Sequence, residues 1–207
     1  MNSFDLHMHS CYSNDGEFTP QELIHMAEEA HLTTIALSDH NTPKGIADMV
    51  RLGEAKGIRV IPAMEFDTLF EELEVHVLGY GIDYEQPYFQ SLFDSLSERK
   101  QAVQIKRVEK IREVFDLDID PAALLKRYAG KNPFPAIVHH IMEQYKDKKE
   151  FADYQPGGRR CEPQPVNFYW DMCSAGKPCY VRVEYPSLKD TVQRIHDAGG
   201  IAVLAHP

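Results

Sequence analysis

Histidine and carboxylate side chains stand at the ends of almost every predicted β-strand of this 207-residue chain. Imidazole nitrogens and carboxylate oxygens bind divalent transition metals, and functional sites of parallel α/β folds form at the carboxyl ends of their strands. Residues that are distant in the sequence are therefore expected to meet at one edge of the fold. The candidates are His7, His9, His40, Glu65, His76 and His206, together with Asp15 in a turn after the first strand.

The pair His7 and His9 shows why the whole set matters more than any one member. Two residues apart on a strand, both imidazoles lie on one face and can reach one metal ion. Alone, such a pair is more often a polar strand end, and Asp15 before a glycine is ordinary turn chemistry. His40 directly follows one apolar strand, and Glu65 directly follows the next. Core packing does not explain these positions, because it costs free energy to bury a polar side chain that has no partner.

The donor set combines nitrogen and oxygen atoms and contains no cysteine, which suits Zn, Mn or Fe. A glutamate such as Glu65 could bridge two ions, and a two-metal site can clamp a phosphate and activate water as hydroxide. Asp39, beside His40, could orient a ligand without binding the metal itself. The residues therefore predict a metal centre suited to phosphate chemistry.

The predicted elements explain how these residues could meet. Short apolar runs alternate with helical patterns, which is typical of parallel βα units and predicts an α/β fold with an open sheet or a barrel. A capping box at Thr19 and Glu22 begins the first helix, the second helix is predicted to open near Thr42, and Gly57 ends it. Strands are predicted at residues 4–9, 33–38, 58–64, 75–80 and 201–205.

The middle of the chain has a different pattern. Residues 88–114 form a long, charged helical pattern without strand signals, and further helices are predicted at 121–128 and 137–145. We predict three segments: a first α/β part over residues 1–87, a mostly helical insert over 88–178, and a return to the α/β part over 179–207.

A basic tract on the long predicted helix includes Arg99 and Arg107. Such a tract is usually a solvated face balanced by neighbouring glutamates. The alternative is that Arg99 or Arg107 binds a phosphate group of the substrate through paired hydrogen bonds. Both interpretations are open at the level of sequence.

The composition limits the possible partners. The chain has 32 acidic and 22 basic residues and a formal net charge of -10, which argues against a protein that grips long duplex DNA. No segment approaches the roughly 20 apolar residues of a membrane span, and the first residues lack a secretory signal. We therefore expect a cytoplasmic protein without a membrane partner, whose four cysteines are reduced thiols.

Taken in order along the chain, these motifs resemble those of the polymerase and histidinol phosphatase (PHP) family. The resemblance implies a distorted (β/α)7 barrel, similar to a TIM barrel, with two or three divalent metal ions that hydrolyses phosphoesters by metal-activated hydroxide. It offers the seven candidates above as metal ligands. The motifs are His7-Met8-His9-Ser10, Asn14-Asp15-Gly16, Ser38-Asp39-His40-Asn41-Thr42, Met64-Glu65, His76-Val77-Leu78-Gly79 and Ala205-His206-Pro207.

Within the family, the insert after the fourth strand is similar to the branch that acts on 3',5'-nucleoside bisphosphates and short RNA ends. That resemblance implies a small phosphorylated substrate and makes Arg99 and Arg107 its phosphate contacts. The family's final Asp-x-His motif has no counterpart before Pro207. We therefore expect this chain to be truncated at its carboxyl end and to lack the last strands of the barrel.

Two other functions fit parts of the pattern. An amidohydrolase that cleaves C–N bonds also begins with His-x-His on a first barrel strand, but it normally adds a modified lysine, and no lysine ends a predicted strand here. A catalytically weak PHP module, stabilised by metal and serving a larger assembly, is the non-enzymatic alternative. Activity towards amides or towards phosphoesters separates the first alternative from the phosphoesterase.

Overall fold

A computed structural model describes residues 3–130 and 132–206 of the chain. The chain divides into two compact units, one formed by residues up to Ser97 and from Tyr185 onward, the other by Glu98–Glu184. The predicted insert limits, residues 88 and 178, stay a prediction. The strands are β1 (Phe4–Met8), β2 (Thr34–Leu37), β3 (Arg59–Phe70), β4 (Leu73–Tyr80) and β5 (Ile201–Leu204). The α-helices are α1 (Pro20–Glu29), α2 (Ile46–Lys56), α3 (Pro87–Val114), α4 (Pro121–Arg127), α5 (Phe134–Gln144), α6 (Gln164–Phe168) and α7 (Leu188–Asp197).

The first unit contains a five-stranded sheet in the order β1-β2-β3-β4-β5. Strands β1, β2 and β3 pair in parallel, as βα units require, and α1 and α2 provide the crossovers. The capping box predicted at Thr19 is present, and Gly57 follows α2 with a φ of 70°, a left-handed conformation that suits glycine. Helix α2 begins at Ile46, later than predicted, because residues 41–45 form a loop at the end of β2.

Strands β3 and β4 form a hairpin that the sequence pattern did not predict. The third strand was expected to end at residue 64, but β3 continues to Phe70 and pairs antiparallel with β4. Only Glu71 and Glu72 connect the two strands, which is too short for a parallel crossover. Strand β5 then pairs antiparallel with the other side of β4. The fold is therefore a mixed α/β fold, and its sheet is parallel only across β1–β3.

The second unit is helical, and no strand occurs among its described residues. Its buried core is built from apolar residues of α3, α5 and the segments that follow, including Val108, Ile111, Ile137, Phe151 and Phe168. Two short helices complete it, a 3-10 helix at Lys149–Tyr154 and a π-helix at Tyr169–Cys173. Across residues 3–130 and 132–206, none of the helices combines the length and apolar composition that a membrane crossing requires.

Candidate metal centre

The end of β1 brings two imidazoles to the buried carboxylate of Glu65. His7 Nε2 lies 2.8 Å from Glu65 Oε2, and His9 Nε2 lies 3.3 Å from the same oxygen. The two rings are 5.0 Å apart between centroids, as expected for side chains two residues apart. The predicted convergence of His7, His9 and Glu65 is therefore present in the structure.

The end of β2 and the middle of β3 place His40 beside Glu65. A parallel bridge joins these two residues just beyond the paired part of the strands. The Asn41 backbone N–H donates to the Glu65 carbonyl oxygen at 2.8 Å, and the Glu65 N–H donates to the Asp39 carbonyl oxygen at 3.3 Å. His40 Nε2 consequently lies 3.5 Å from Glu65 Oε2. Backbone pairing between the two segments thus fixes the Cα positions from which the His40 and Glu65 side chains extend.

Asp39 connects the end of β2 to the turn after His9. Its carboxylate is buried and accepts hydrogen bonds from the Ser10 backbone N–H and the Ser10 hydroxyl, each at 2.6 Å. Burial raises the pKa of the Asp39 carboxyl even though the bonds from Ser10 act in the opposite direction. Asp39 therefore holds the first loop against the second strand, consistent with the orienting role expected from its position.

The antiparallel strands supply two more imidazoles. His76 on β4 places Nδ1 3.0 Å from Glu65 Oε1. The Ala205 N–H donates to the His76 carbonyl oxygen at 2.9 Å and extends the β4–β5 pairing to the neighbouring His206. His206 Nε2 then lies 3.0 Å from Glu65 Oε1. We call the five histidines around Glu65, namely His7, His9, His40, His76 and His206, the histidine cluster. Pro207, the last residue of the final motif, lies outside the described residues.

Asp15 reaches the histidine cluster from the loop after β1. Its Oδ1 accepts a hydrogen bond from the Ser13 hydroxyl at 2.6 Å, and its Oδ2 lies 3.4 Å from His40 Nε2. Gly16 permits this loop to close, because a Cβ at that position would stand 2.0 Å from the Ser10 carbonyl oxygen. Asp15 remains half exposed and forms part of the open side of the cluster.

Asp67 is a carboxylate that the sequence analysis missed. It lies two residues after Glu65 on β3, hence on the same face of the strand, and it is buried. Its Oδ1 lies 2.6 Å from His40 Nδ1 and 3.7 Å from His76 Nε2. The alternation Glu65-Phe66-Asp67 was the available signal, but it was overlooked because the third strand was expected to end before it.

Opposing effects set the charges in this cluster. Burial raises the pKa of the Glu65 carboxyl, but hydrogen bonds from His76 and His9 and the nearby charge of His40 lower it well below its usual range. Burial lowers the pKa of His40, yet hydrogen bonds to Asp15 and Asp67 outweigh it and raise the pKa to about 10. The hydrogen bond to Glu65 raises the pKa of His76 to about 9. Both imidazoles are therefore protonated at neutral pH when no metal is bound.

The donor set fits divalent metal ions. Three groups of ligand atoms lie within 4.8 Å of one another, and each contains at least one imidazole and one carboxylate; they are His7–Glu65–His206, His9–His40–Glu65 and His40–Asp67–His76. Two donors about 2.1 Å from one tetrahedral ion stand about 3.4 Å apart. Several imidazole–carboxylate separations in the cluster lie between 3.3 and 3.5 Å. His9 Nδ1 is also buried without a hydrogen-bond partner.

Metal binding is expected to release protons. A coordinating imidazole must be neutral, whereas His40 and His76, with pKa values of about 10 and 9, are protonated at pH 7 in the metal-free protein. Apparent affinity should therefore rise with pH between 6 and 8, by up to about tenfold per pH unit for each proton displaced. Calorimetry of Zn²⁺ or Mn²⁺ binding in buffers of different ionisation enthalpy measures this release. A pH-independent affinity would contradict the charge states given above.

The predicted substrate contacts, Arg99 and Arg107, both lie in the second unit. Arg99 donates through Nη1 to the Glu184 carbonyl oxygen. Arg107 is buried, with its guanidinium 5.4 Å from the ring centroids of Phe134 and Tyr169, so it is not part of a solvated face. The aromatic residues around Arg107 therefore contradict the expectation that the basic tract is solvated at this position. Contact of either arginine with a phosphate stays a prediction.

Comparison with known proteins identifies the family. The family model for the PHP domain matches residues 5–198. A 5'-3' exoribonuclease of Haemophilus influenzae is 29% identical over 206 residues, which are 99% of this chain and 68% of that protein. A 3',5'-nucleoside bisphosphate phosphatase of Chromobacterium violaceum is 28% identical over 212 residues, 100% of this chain and 67% of that protein. The chain thus spans about two thirds of the length of these curated relatives.

Solved structures give the same fold. A proposed metal-dependent phosphoesterase of Bifidobacterium adolescentis superposes with a TM-score of 0.72 at 22% identity, over 99% of this chain and 67% of that one. An amidohydrolase of Chromobacterium violaceum, with bound sulfate and no metal, gives a TM-score of 0.69 at 25% identity over the same shares.

A mixed α/β unit that gathers imidazoles and carboxylates around one buried glutamate has a donor set suited to a metal-dependent hydrolase. Since the family match covers most of its length, the chain belongs to the PHP domain family. The resemblance drawn from the sequence motifs is therefore confirmed. Together with relatives named as a phosphatase and an exoribonuclease, family membership supports a hydrolase that acts on phosphoesters and uses divalent metal.

Proposed function

We propose that this protein is a metal-dependent phosphoesterase that hydrolyses a phosphomonoester or phosphodiester of a small nucleotide or short RNA. The arrangement around Glu65 carries the proposal. Its Oε1 faces His76 and His206, each at 3.0 Å, while its Oε2 faces His7 at 2.8 Å and His9 at 3.3 Å. A carboxylate whose two oxygens face separate sets of imidazoles is suited to bridging two ions.

Two or three divalent ions, Zn, Mn or Fe, are part of the proposal. The residues His7, His9, Glu65 and His76 would hold one or two of them, Asp15 and His40 another, and His206 would close the set. When bound, such ions lower the pKa of water and neutralise the charge that develops on phosphoryl oxygens. The chain's own residues would position these ions and leave one side of the cluster open.

The burial of the site residues indicates where a substrate would enter. The Glu65 and Asp67 side chains are buried, whereas the side chains of His7, Asp15 and His206 are 32%, 52% and 61% exposed. The exposed three form the rim through which a phosphate could approach. Once metal binding had displaced the imidazole protons, the three carboxylates would repel that phosphate unless the bound ions offset their charge.

The relatives' names and the arginines of the second unit support the substrate class. The named relatives act on nucleoside bisphosphates or RNA, both of which carry more than one phosphate group. Arg107 Nε is buried without a hydrogen-bond partner. We assign Arg99 and Arg107 to the phosphates that are not being hydrolysed.

The distorted (β/α)7 barrel also belongs to the proposal. Three parallel strands connected by α1 and α2 support its first part. The helical insert over 88–178 stays a prediction, as does the cytoplasmic location.

A substrate screen tests the proposed function. The purified chain, stripped of metal and reloaded with Mn²⁺, Zn²⁺ or Fe²⁺, would be assayed for phosphate or nucleotide release from p-nitrophenyl phosphate, a nucleoside 3',5'-bisphosphate and a short RNA. We expect turnover of one or more of these substrates only in the reloaded protein. For the favoured substrate, Arg107→Ala should raise KM with little change in kcat. Loaded protein that releases no product from any of the three would refute the proposal.

The alternative function is hydrolysis of a C–N bond, since one structural neighbour is named an amidohydrolase. Its substrates are amides or cyclic amides rather than phosphate esters. Adding an amide and a cyclic amide to the same screen separates the two: turnover of these compounds alone would favour the alternative.

A further inference from the structure

Asp67 lies in contact with an imidazole of the histidine cluster. Its Oδ1 lies 2.6 Å from His40 Nδ1, and the residue is 4% exposed. The opposite ring nitrogen, Nε2, lies 3.4 Å from Asp15 and 3.5 Å from Glu65. The two nitrogens of His40 therefore face different environments, one a single carboxylate and the other the open centre of the cluster.

The contact between Asp67 and His40 has the length of a hydrogen bond, as do the contacts of His7, His76 and His206 with Glu65. Asp67 differs from those residues because it faces Nδ1 of His40, the ring nitrogen opposite the one that faces Asp15 and Glu65. Two ligands of one tetrahedral ion stand about 3.4 Å apart, whereas a charge-assisted N–H···O bond measures about 2.7–2.9 Å. The separation of 2.6 Å between His40 Nδ1 and Asp67 Oδ1 agrees with a hydrogen bond. The separations on the Nε2 side, 3.4 and 3.5 Å, agree with donors that surround an ion.

We propose that Asp67 is a positioning residue, which accepts the Nδ1 proton of His40 and thereby presents the Nε2 lone pair to a metal ion beside Asp15 and Glu65. This inference rests on the proposed metal-dependent function. A carboxylate bonded to the far nitrogen of a metal-binding histidine fixes the tautomer, orients the ring and makes the ligand more basic. In this assignment the carboxylate of the group His40–Asp67–His76 acts through His40 and is not itself a ligand.

Backbone contacts hold this pair in register. The Asp67 N–H donates to Asn41 Oδ1 at 3.1 Å, and the His40 N–H donates to the Ser13 hydroxyl at 3.2 Å. Asn41, next to His40, has a φ of 54°, so the loop has an uncommon conformation at this point. His40 is therefore held through both its backbone and its ring, as a positioned ligand requires.

Mn²⁺ binding tests the inference without measuring catalysis. Free Mn²⁺ would be followed by electron paramagnetic resonance during titration of the wild type, Asp67→Asn and Asp67→Ala, with Asp118→Asn, at an exposed position, as a matched control. We expect Asp67→Ala to weaken the affected site about 10- to 100-fold and Asp67→Asn to weaken it less, because the amide oxygen can still accept the Nδ1 proton. The number of ions bound at saturation should stay the same. Asp118→Asn should match the wild type.

The same titration in a His40→Ala background tests whether Asp67 affects metal affinity through His40. If Asp67 acts through His40, Asp67→Asn should cause no further loss of affinity in that background. Unchanged affinity in the single variants, one ion fewer at saturation, or an additional loss without His40 would each overturn the inference. If Asp67→Ala does not fold, the Mn²⁺ affinity of Asp67→Asn is compared with that of the wild type instead. A wild type that binds no Mn²⁺, Zn²⁺ or Fe²⁺ would refute the proposed function itself, a result distinct from failure of the Asp67 variants alone.

Discussion

Replacing Glu65 by glutamine is expected to abolish phosphoester hydrolysis and to empty most of the metal centre. The Glu65 carboxylate lies within 3.5 Å of all five imidazoles of the histidine cluster and is buried beneath them. The amide keeps the volume but removes the charge and turns one oxygen into a donor group that repels a cation. Since bound metal contributes several kcal/mol to catalysis of this kind, kcat/KM should fall by at least about 1,000-fold.

Metal content and turnover of Glu65→Gln would be measured on the same preparation, with circular dichroism to verify folding. Glu54→Gln is the matched control, because Glu54 is exposed on α2 in the same unit. The control should retain both metal and activity. A folded Glu65→Gln variant that binds as much metal as the wild type and keeps its turnover would show that the cluster is not the catalytic centre.

Replacing Phe66 by alanine is expected to lower the free energy of unfolding by about 3–5 kcal/mol. Phe66 is 1% exposed and lies between Glu65 and Asp67 on β3, so it faces away from the cluster. Its ring packs 5.8 Å from that of Phe89, between centroids. Gly79 makes room for it, since a Cβ there would approach Phe66 Cε2 to 2.9 Å. Removing the ring leaves a cavity that this closely packed core cannot fill.

Chemical denaturation of metal-free protein measures that loss. Phe70→Ala is the matched control because Phe70 lies on the same face of β3 but is 53% exposed, and its replacement should cost less than about 1 kcal/mol. Equal stability losses in the two variants would contradict the packing described for β3. Folded Phe66→Ala should bind as many ions as the wild type, because Phe66 contributes no donor atom.

Local patterns predicted those parts of the fold that local interactions determine. The capping box at Thr19, the glycine after α2 and the apolar run of β2 each set an element through neighbouring residues. The β3–β4 hairpin was not predicted, because the third strand was expected to end with its apolar run at residue 64, although β3 is buried on both faces between residues 63 and 68. Pairing partners across the sheet, rather than local pattern, set its length.

Some residues of the candidate site could likewise be predicted from local sequence patterns, and others could not. His7 and His9 were found because they end a predicted strand and His40 because it follows one, and the sheet brings all three to Glu65. The contact of Asp67 with His40 depends on how far β3 continues, which the sequence pattern did not show. Asp39 was noticed only as a neighbour of His40, whereas its bonds to Ser10 depend on two loops meeting in space.

Elemental analysis tests the central claim, that the histidine cluster is a metal centre, most directly. The wild-type chain would be saturated with Mn²⁺, Zn²⁺ or Fe²⁺, passed through a desalting column and analysed for metal per chain, with Glu65→Gln treated in parallel. We predict two or more ions per wild-type chain and fewer than one in the variant. Fewer than one ion in the folded wild type, or equal content in both proteins, would contradict the account.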